Sequence, residues 1–171
     1  MSRSFPVRLV LSAIAIATAV ACGEHASPTA PPLAALAPPP KPPKGHTVAT
    51  CDIPMDMNFS GNFGPAGGKL DLGPGNSLQI LPGALRQVTT ITAHIPKGTQ
   101  AKVQFGPEGL QFAVPTILTA SYSTCVTPLF GVSIAYLQAD TVVEVEPSVN
   151  DPIKKKVTAF LSHFSSYAVA Y

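Results

Sequence analysis

Apolar and polar positions alternate in short runs over the second two-thirds of the chain. Ile91, Ala93 and Ile95 fall on one side, with Thr90, Thr92 and His94 opposite. Val143 and Val145 alternate with Glu144 and Glu146, and Val157, Ala159 and Leu161 share a face near the end. A period of two is what a half-buried strand requires. Between the runs stand turn signals: Gly61-Asn62, Gly64-Pro65, Gly73-Pro74-Gly75-Asn76, Pro96-Lys97-Gly98, Gly106-Pro107 and Asn150-Asp151-Pro152. Short strands broken by Gly, Pro and Asn predict an all-β, antiparallel β-sandwich. Pro82-Gly83-Ala84-Leu85 interrupts the alternation and is expected to form one short turn of helix. No amphipathic helix of useful length and no internal repeat is evident.

The amino end follows a different pattern. Arg3 and Arg8 precede an apolar run from Leu9 to Ala21, too short to span a bilayer but suited to a signal-peptide core. It ends Ala19-Val20-Ala21-Cys22-Gly23, which resembles a bacterial lipobox, with Ala19 where a leucine is usual. The resemblance implies lipidation of the Cys22 thiol and cleavage ahead of it. The other reading is ordinary signal cleavage near Ala21, with Cys22 a spare thiol. Several acyl chains on one residue anchor stably, at about 0.8 kcal/mol per buried methylene. Gly23 replaces the aspartate that would imply inner-membrane retention, so an outer membrane is favoured where the cell has one. Ser27 to Gly45 carries Pro28, Pro31, Pro32, Pro38, Pro39, Pro40, Pro42 and Pro43. Proline fixes φ and removes amide donors, so a disordered, extended stalk is expected, reaching roughly 60 Å at about 3.1 Å per residue. The organisation read from the chain is a signal peptide at 1–21, a lipidated cysteine and proline-rich linker at 22–45, and a β-domain at 46–171.

Composition narrows the function. The 171 residues are 12% charged, with a net charge of +2 and no basic run beyond Lys154-Lys155-Lys156. Nucleic-acid binding needs a concentrated basic face, so no nucleic-acid partner is expected. The three lysines read as a solvated turn or strand end. Cys51 and Cys125 remain for an exported, oxidising compartment and read as a disulfide, worth roughly 4–5 kcal/mol in the chain-entropy model. Two unpaired buried thiols are the alternative. His46, His94 and His163 are scattered and make no ligand spacing with the cysteines, so neither a metal nor a cofactor is expected. Asp52, Asp56 and Asn58 alternate and read as a polar strand face rather than a calcium site.

Three segments carry a family resemblance. Gly67-Gly68-Lys69-Leu70 leads into Leu78-Gln79-Ile80-Leu81-Pro82-Gly83-Ala84-Leu85. Phe105-Gly106-Pro107-Glu108-Gly109-Leu110-Gln111-Phe112 precedes Val114-Pro115, and the chain closes with His163-Phe164-Ser165-Ser166-Tyr167-Ala168-Val169. In order and spacing they resemble a ZU5 domain, the β-sandwich module of ankyrins, netrin receptors and death-domain scaffold proteins. The resemblance covers about Gly67 to Tyr171 and rests most on Gly67, Gly68, Pro82, Gly83, Gly106, Pro107, Gly109 and Phe112. Members of that family are mostly interaction or scaffold modules, and in ankyrins the domain binds spectrin. A non-enzymatic binding or structural module is therefore expected, held to a membrane by its lipid and facing an unknown envelope or extracellular protein partner.

His163-Phe164-Ser165 is the one chemically loaded triplet. Some relatives of the family cut themselves at a His-Phe-Ser triplet. There the Ser165 hydroxyl would attack the Phe164 carbonyl in an N→O acyl shift, with His163 as base or acid and a strained backbone lowering the barrier. In the packing alternative Phe164 and Tyr167 are core residues, Ser165 is exposed and His163 makes an ordinary hydrogen bond. Phe164 and Tyr167 sit on opposite parities, and a bulge near Ser165 is expected to reconcile them.

Overall fold

The computed structural model describes residues 45–171; the signal core, Cys22 and the proline run lie outside them. The described residues form strands and turns without a helix. Numbered in chain order, the strands begin with β1 (Thr50–Ile53), β2 (Met57–Phe63), β3 (Gly68–Asp71), β4 (Ser77–Ile80) and β5 (Thr89–Ile95). Next come β6 (Gly98–Gln100), β7 (Lys102–Gly106), β8 (Gln111–Ser121), β9 (Cys125–Val126) and β10 (Ser133–Gln138). The last four are β11 (Thr141–Glu146), β12 (Ser148–Asp151), β13 (Lys156–His163) and β14 (Ser166–Ala170). A six-stranded sheet runs β11-β10-β14-β7-β5-β2, a five-stranded sheet β12-β13-β8-β4-β3, and a small third sheet β6-β1-β9. The ladders between strands are antiparallel, and the molecule is an all-β sandwich.

The core lies between the two large sheets. Ile91, Ala93 and Ile95 of β5 are buried, as are Val157, Ala159 and Leu161 of β13, as their alternation requires. Tyr167 and Val169 of β14 join the same core. Both faces of β14 are covered. Ala168 and Ala170 on the other face join Ala135, Leu137 and Val142, with Val48 and Val145 packed against them. The incoming chain lies beside this strand: the Ala49 N–H donates to the Val169 carbonyl, and Thr47 and Tyr171 exchange both backbone bonds. That is why Tyr167-Ala168-Val169-Ala170 reads as one continuous apolar run.

Two expectations are corrected. Pro82-Gly83-Ala84-Leu85 is a turn, not helix. The Ala84 N–H donates to the Leu81 carbonyl, and Gly83 sits at φ 81°, a left-handed position that a right-handed helix cannot include. Ala84 and Leu85 then plug the core. In β11 the alternation is broken by a register shift opposite Tyr136 and Leu137. Val142 and Val145 pack on the outer cluster, and Glu146 is buried instead. One extra residue in a strand moves every later side chain to the other face.

The Cys51–Cys125 disulfide is present, joining residues that face each other in the β1–β9 ladder. It ties the segment entering the domain to the chain that leaves β8.

Candidate functional site

The chain changes sheets at Phe164-Ser165. β13 ends at His163 in the five-stranded sheet and β14 starts at Ser166 in the six-stranded one. The segment from Gly106 to Leu110 makes the opposite crossing, from β7 to β8. The two crossings lie side by side and are laced by backbone bonds. The Phe164 N–H donates to the Leu110 carbonyl at 2.8 Å, and the Gly109 N–H donates to the Phe164 carbonyl at 2.9 Å. The Phe105 N–H donates to the Ser165 carbonyl at 3.0 Å. The Gly106–Pro107 peptide is cis. A Cβ at Gly106 would stand 2.5 Å from the Thr92 hydroxyl, so a larger residue here would require Thr92 to shift.

Other motif residues join this corner. Gly67 has φ 73°, and a Cβ there would meet the Ile80 carbonyl at 2.3 Å. The Gly83 N–H donates to the Pro65 carbonyl, and the Ala113 N–H to the Ala84 carbonyl. Gly68 opens β3 beside the Phe63 ring, and Pro82 leads the turn that Gly83 closes. Phe112 packs edge-on to Phe164 at 4.7 Å, and Phe105 stacks on the other side at 4.9 Å. The motif segments are thus distant in sequence but joined by short backbone bonds.

Phe164 and Tyr167 are both fully buried. The sheet change at Phe164-Ser165 reconciles their parities. The ladder irregularity lies earlier than expected, between Leu161 and His163. Ser165 is 8% exposed, which corrects the exposed position expected of it under packing alone. No hydrogen bond joins the His163 ring to the Ser165 hydroxyl among the described residues. The His163 ring instead sits edge-on to Tyr136 at 5.2 Å, with Nδ1 3.4 Å from the Tyr167 hydroxyl. That hydroxyl donates to the His163 carbonyl at 2.8 Å. Among the described residues, the non-glycine positions in left-handed backbone are Ala139, Asp140 and Lys155, all outside the triplet.

Around Tyr167 the ladder sets Glu144, Tyr136 and Tyr167 in one row across three strands. Burial raises the Tyr167 phenol, helped by the nearby Glu146 carboxylate, so it stays a hydrogen-bond donor. Burial likewise pushes the Glu146 carboxyl up to about 7, with Glu144 adding to it. The alternation through Val143 and Val145 hid Glu146, and Tyr136 lay in a region without motif; neither carried a sequence signal. Asp56, by contrast, serves the fold. It accepts the Lys97 N–H at 2.8 Å, which holds its carboxyl below the usual range, and lies 3.5 Å from His94.

An open cleft of about 660 Å³ lies on the outer face of the five-stranded sheet, lined by Lys69, Asp71, Ser77, Thr119 and Lys156 beside the Gly73–Asn76 turn. Its charged groups are of mixed sign, Phe59 and Pro74 add apolar surface, and Asp71 is already used by the Gly73 N–H.

Fold and site define a disulfide-stapled, all-β sandwich whose two sheet crossings are locked together. No protein-family model matches the chain, and no curated protein matches it.

Proposed function

We propose that the protein is a cell-envelope lipoprotein, anchored by lipid on Cys22 and displaying a ZU5-like sandwich as a non-enzymatic binding or structural module. The observation that carries the binding reading is an apolar patch at a sheet edge. β12 is an edge strand, and its Val149 is 67% exposed. Phe160 on the neighbouring β13 shares that face, because Val149 pairs with Thr158, two residues away. Phe160 is 46% exposed, and Ile153 in the connecting turn is 94% exposed. An edge strand with exposed apolar neighbours is a template for a partner protein. The ZU5-like reading is supported by the way the motif segments meet at one hydrogen-bonded corner. Fold alone names no partner.

The anchor is tested by fractionation. In cells, the native chain is expected in the membrane fraction and a Cys22→Ser chain in the soluble exported fraction. A Cys22→Ser chain that still fractionates with membranes would overturn lipid tethering at this residue.

A second reading, self-cleavage between Phe164 and Ser165, is favoured by one contact. The Gly109 N–H already donates to the Phe164 carbonyl oxygen, where negative charge would develop during attack by the Ser165 hydroxyl. His163 would have to leave Tyr167 to serve as base. Ser165→Ala would keep such a chain whole.

A further inference from the structure

The loop joining β9 to β10, Thr127-Pro128-Leu129-Phe130-Gly131 and Val132, carries a second apolar surface, remote in sequence from the β12 edge. Leu129 is 64% exposed and Phe130 is 74% exposed, and Val126 at the loop's base is 76% exposed. Apolar side chains of this size in water forgo the gain of burial unless something covers them. The stretch is also free of charge: no Asp, Glu, Lys or Arg lies between Glu108 and Asp140. A protein-facing patch usually has a polar, charged rim. An uncharged, protruding Leu-Phe pair suits the boundary between lipid headgroups and acyl chains, where charged side chains are costly.

The position of the loop supplies the occupant. Both of its feet stand beside the segment through which the tether enters. At one foot, Val126 pairs with Thr50 and Cys125 is disulfide-bonded to Cys51. At the other, Ser133 pairs with Ala170, which also bridges to Val48. Residues 48–51 therefore run between the loop's two ends, and the chain leading back to Cys22 enters at the same place. A tether's length sets the farthest distance from a membrane, not the resting one.

We propose that the β9–β10 loop is a membrane contact, in which Leu129 and Phe130, with Val126, seat in the headgroup–acyl boundary of the bilayer that holds the tether. This rests on the tethered reading above. The disulfide would keep the loop and the tether's point of attachment on the same side of the domain.

The chain has no tryptophan, so one substitution gives a site-specific probe. The lipidated full chain carrying Phe130→Trp would be placed in phosphatidylcholine vesicles containing lipid brominated in the upper acyl chain. The same chain carrying Phe160→Trp, on the outer face of the other sheet, is the control. Both positions are exposed, so both variants are expected to fold. The expected result is a blue-shifted, bromine-quenched emission for Phe130→Trp and a water-like, unquenched emission for Phe160→Trp. Vesicle-bound protein with Phe130→Trp unquenched would overturn the loop contact and leave the tether standing. Equal quenching at both positions would mean general adsorption and overturn it too. A chain that does not float with vesicles at all would overturn the tether, and the loop contact with it.

Discussion

In the unfolded chain the Glu146 carboxyl titrates near 4.5, and in the folded chain near 7. The fold holds that proton more tightly than the open chain does. The stabilisation from this raised group is fully present below the unfolded value and is lost as pH rises through the folded one. Glu146→Gln is uncharged at any pH. The variant should match its parent near about pH 4 and be more stable by about 1 kcal/mol near about pH 8, allowing for the solvent that still reaches the carboxylate. Urea unfolding of both proteins at the two pH values checks this. Using the difference between the two proteins removes the background common to both. A larger gain at low pH than at high would reverse the sign and rule out the buried-charge account. Phe164 was legible as a core residue from its size and its motif, and it is fully buried between Phe105 and Phe112. Ser165 was harder to place. Its burial comes from the crossing of the chain between sheets, which no local pattern announces.

Strands whose side chains obey a strict period of two were readable, and those with an irregularity were not. β5, and β13 ahead of its irregularity between Leu161 and His163, bury the residues their alternation names. β11 does not, because its register shifts opposite β10 and reverses the faces beyond it. The Pro82-Gly83 segment interrupts the alternation and was expected to form a short turn of helix, yet a positive φ at Gly83 makes it a turn. The Cys51–Cys125 pairing was expected from compartment and cysteine count alone. The structure adds that it sits within a ladder and closes a loop of 74 residues. Closing a loop of that length restricts the unfolded chain by roughly 4 kcal/mol. Replacing both cysteines by serine should lower unfolding stability by about 2–4 kcal/mol, as read by chemical denaturation without reductant. Reductant should bring the native protein to the level of the double variant and leave that variant unchanged. Equal stability of the two proteins in oxidising buffer would mean that the third sheet adds nothing to the cooperative unit.

At the scale of the molecule, the first 44 residues and the sandwich would, on the proposed reading, divide the work between them. The amino-terminal pattern of basic, apolar and small residues ahead of Cys22 would carry the localisation, and the sandwich the surfaces. The all-β class was legible because turn signals and alternation agree along most of the domain. The two exposed apolar regions were not, because an exposed Phe130 or Val149 reads in sequence like any core residue. The two crossings of chain between sheets join Gly109 to Phe164 and hold the carboxyl-terminal strand in the core. β14 would therefore remain seated even if the chain were cut before Ser165, and a cleaved protein would look intact without denaturation. Denaturing intact mass of the full chain extracted from its membrane separates these cases and tests the central claim most directly. The expected result is one species running from Cys22 to Tyr171, heavier than its amino acids by the acyl groups on Cys22. An unmodified Cys22 would contradict the lipoprotein account, and a chain ending at Phe164 with a separate Ser165–Tyr171 peptide would contradict the non-enzymatic one.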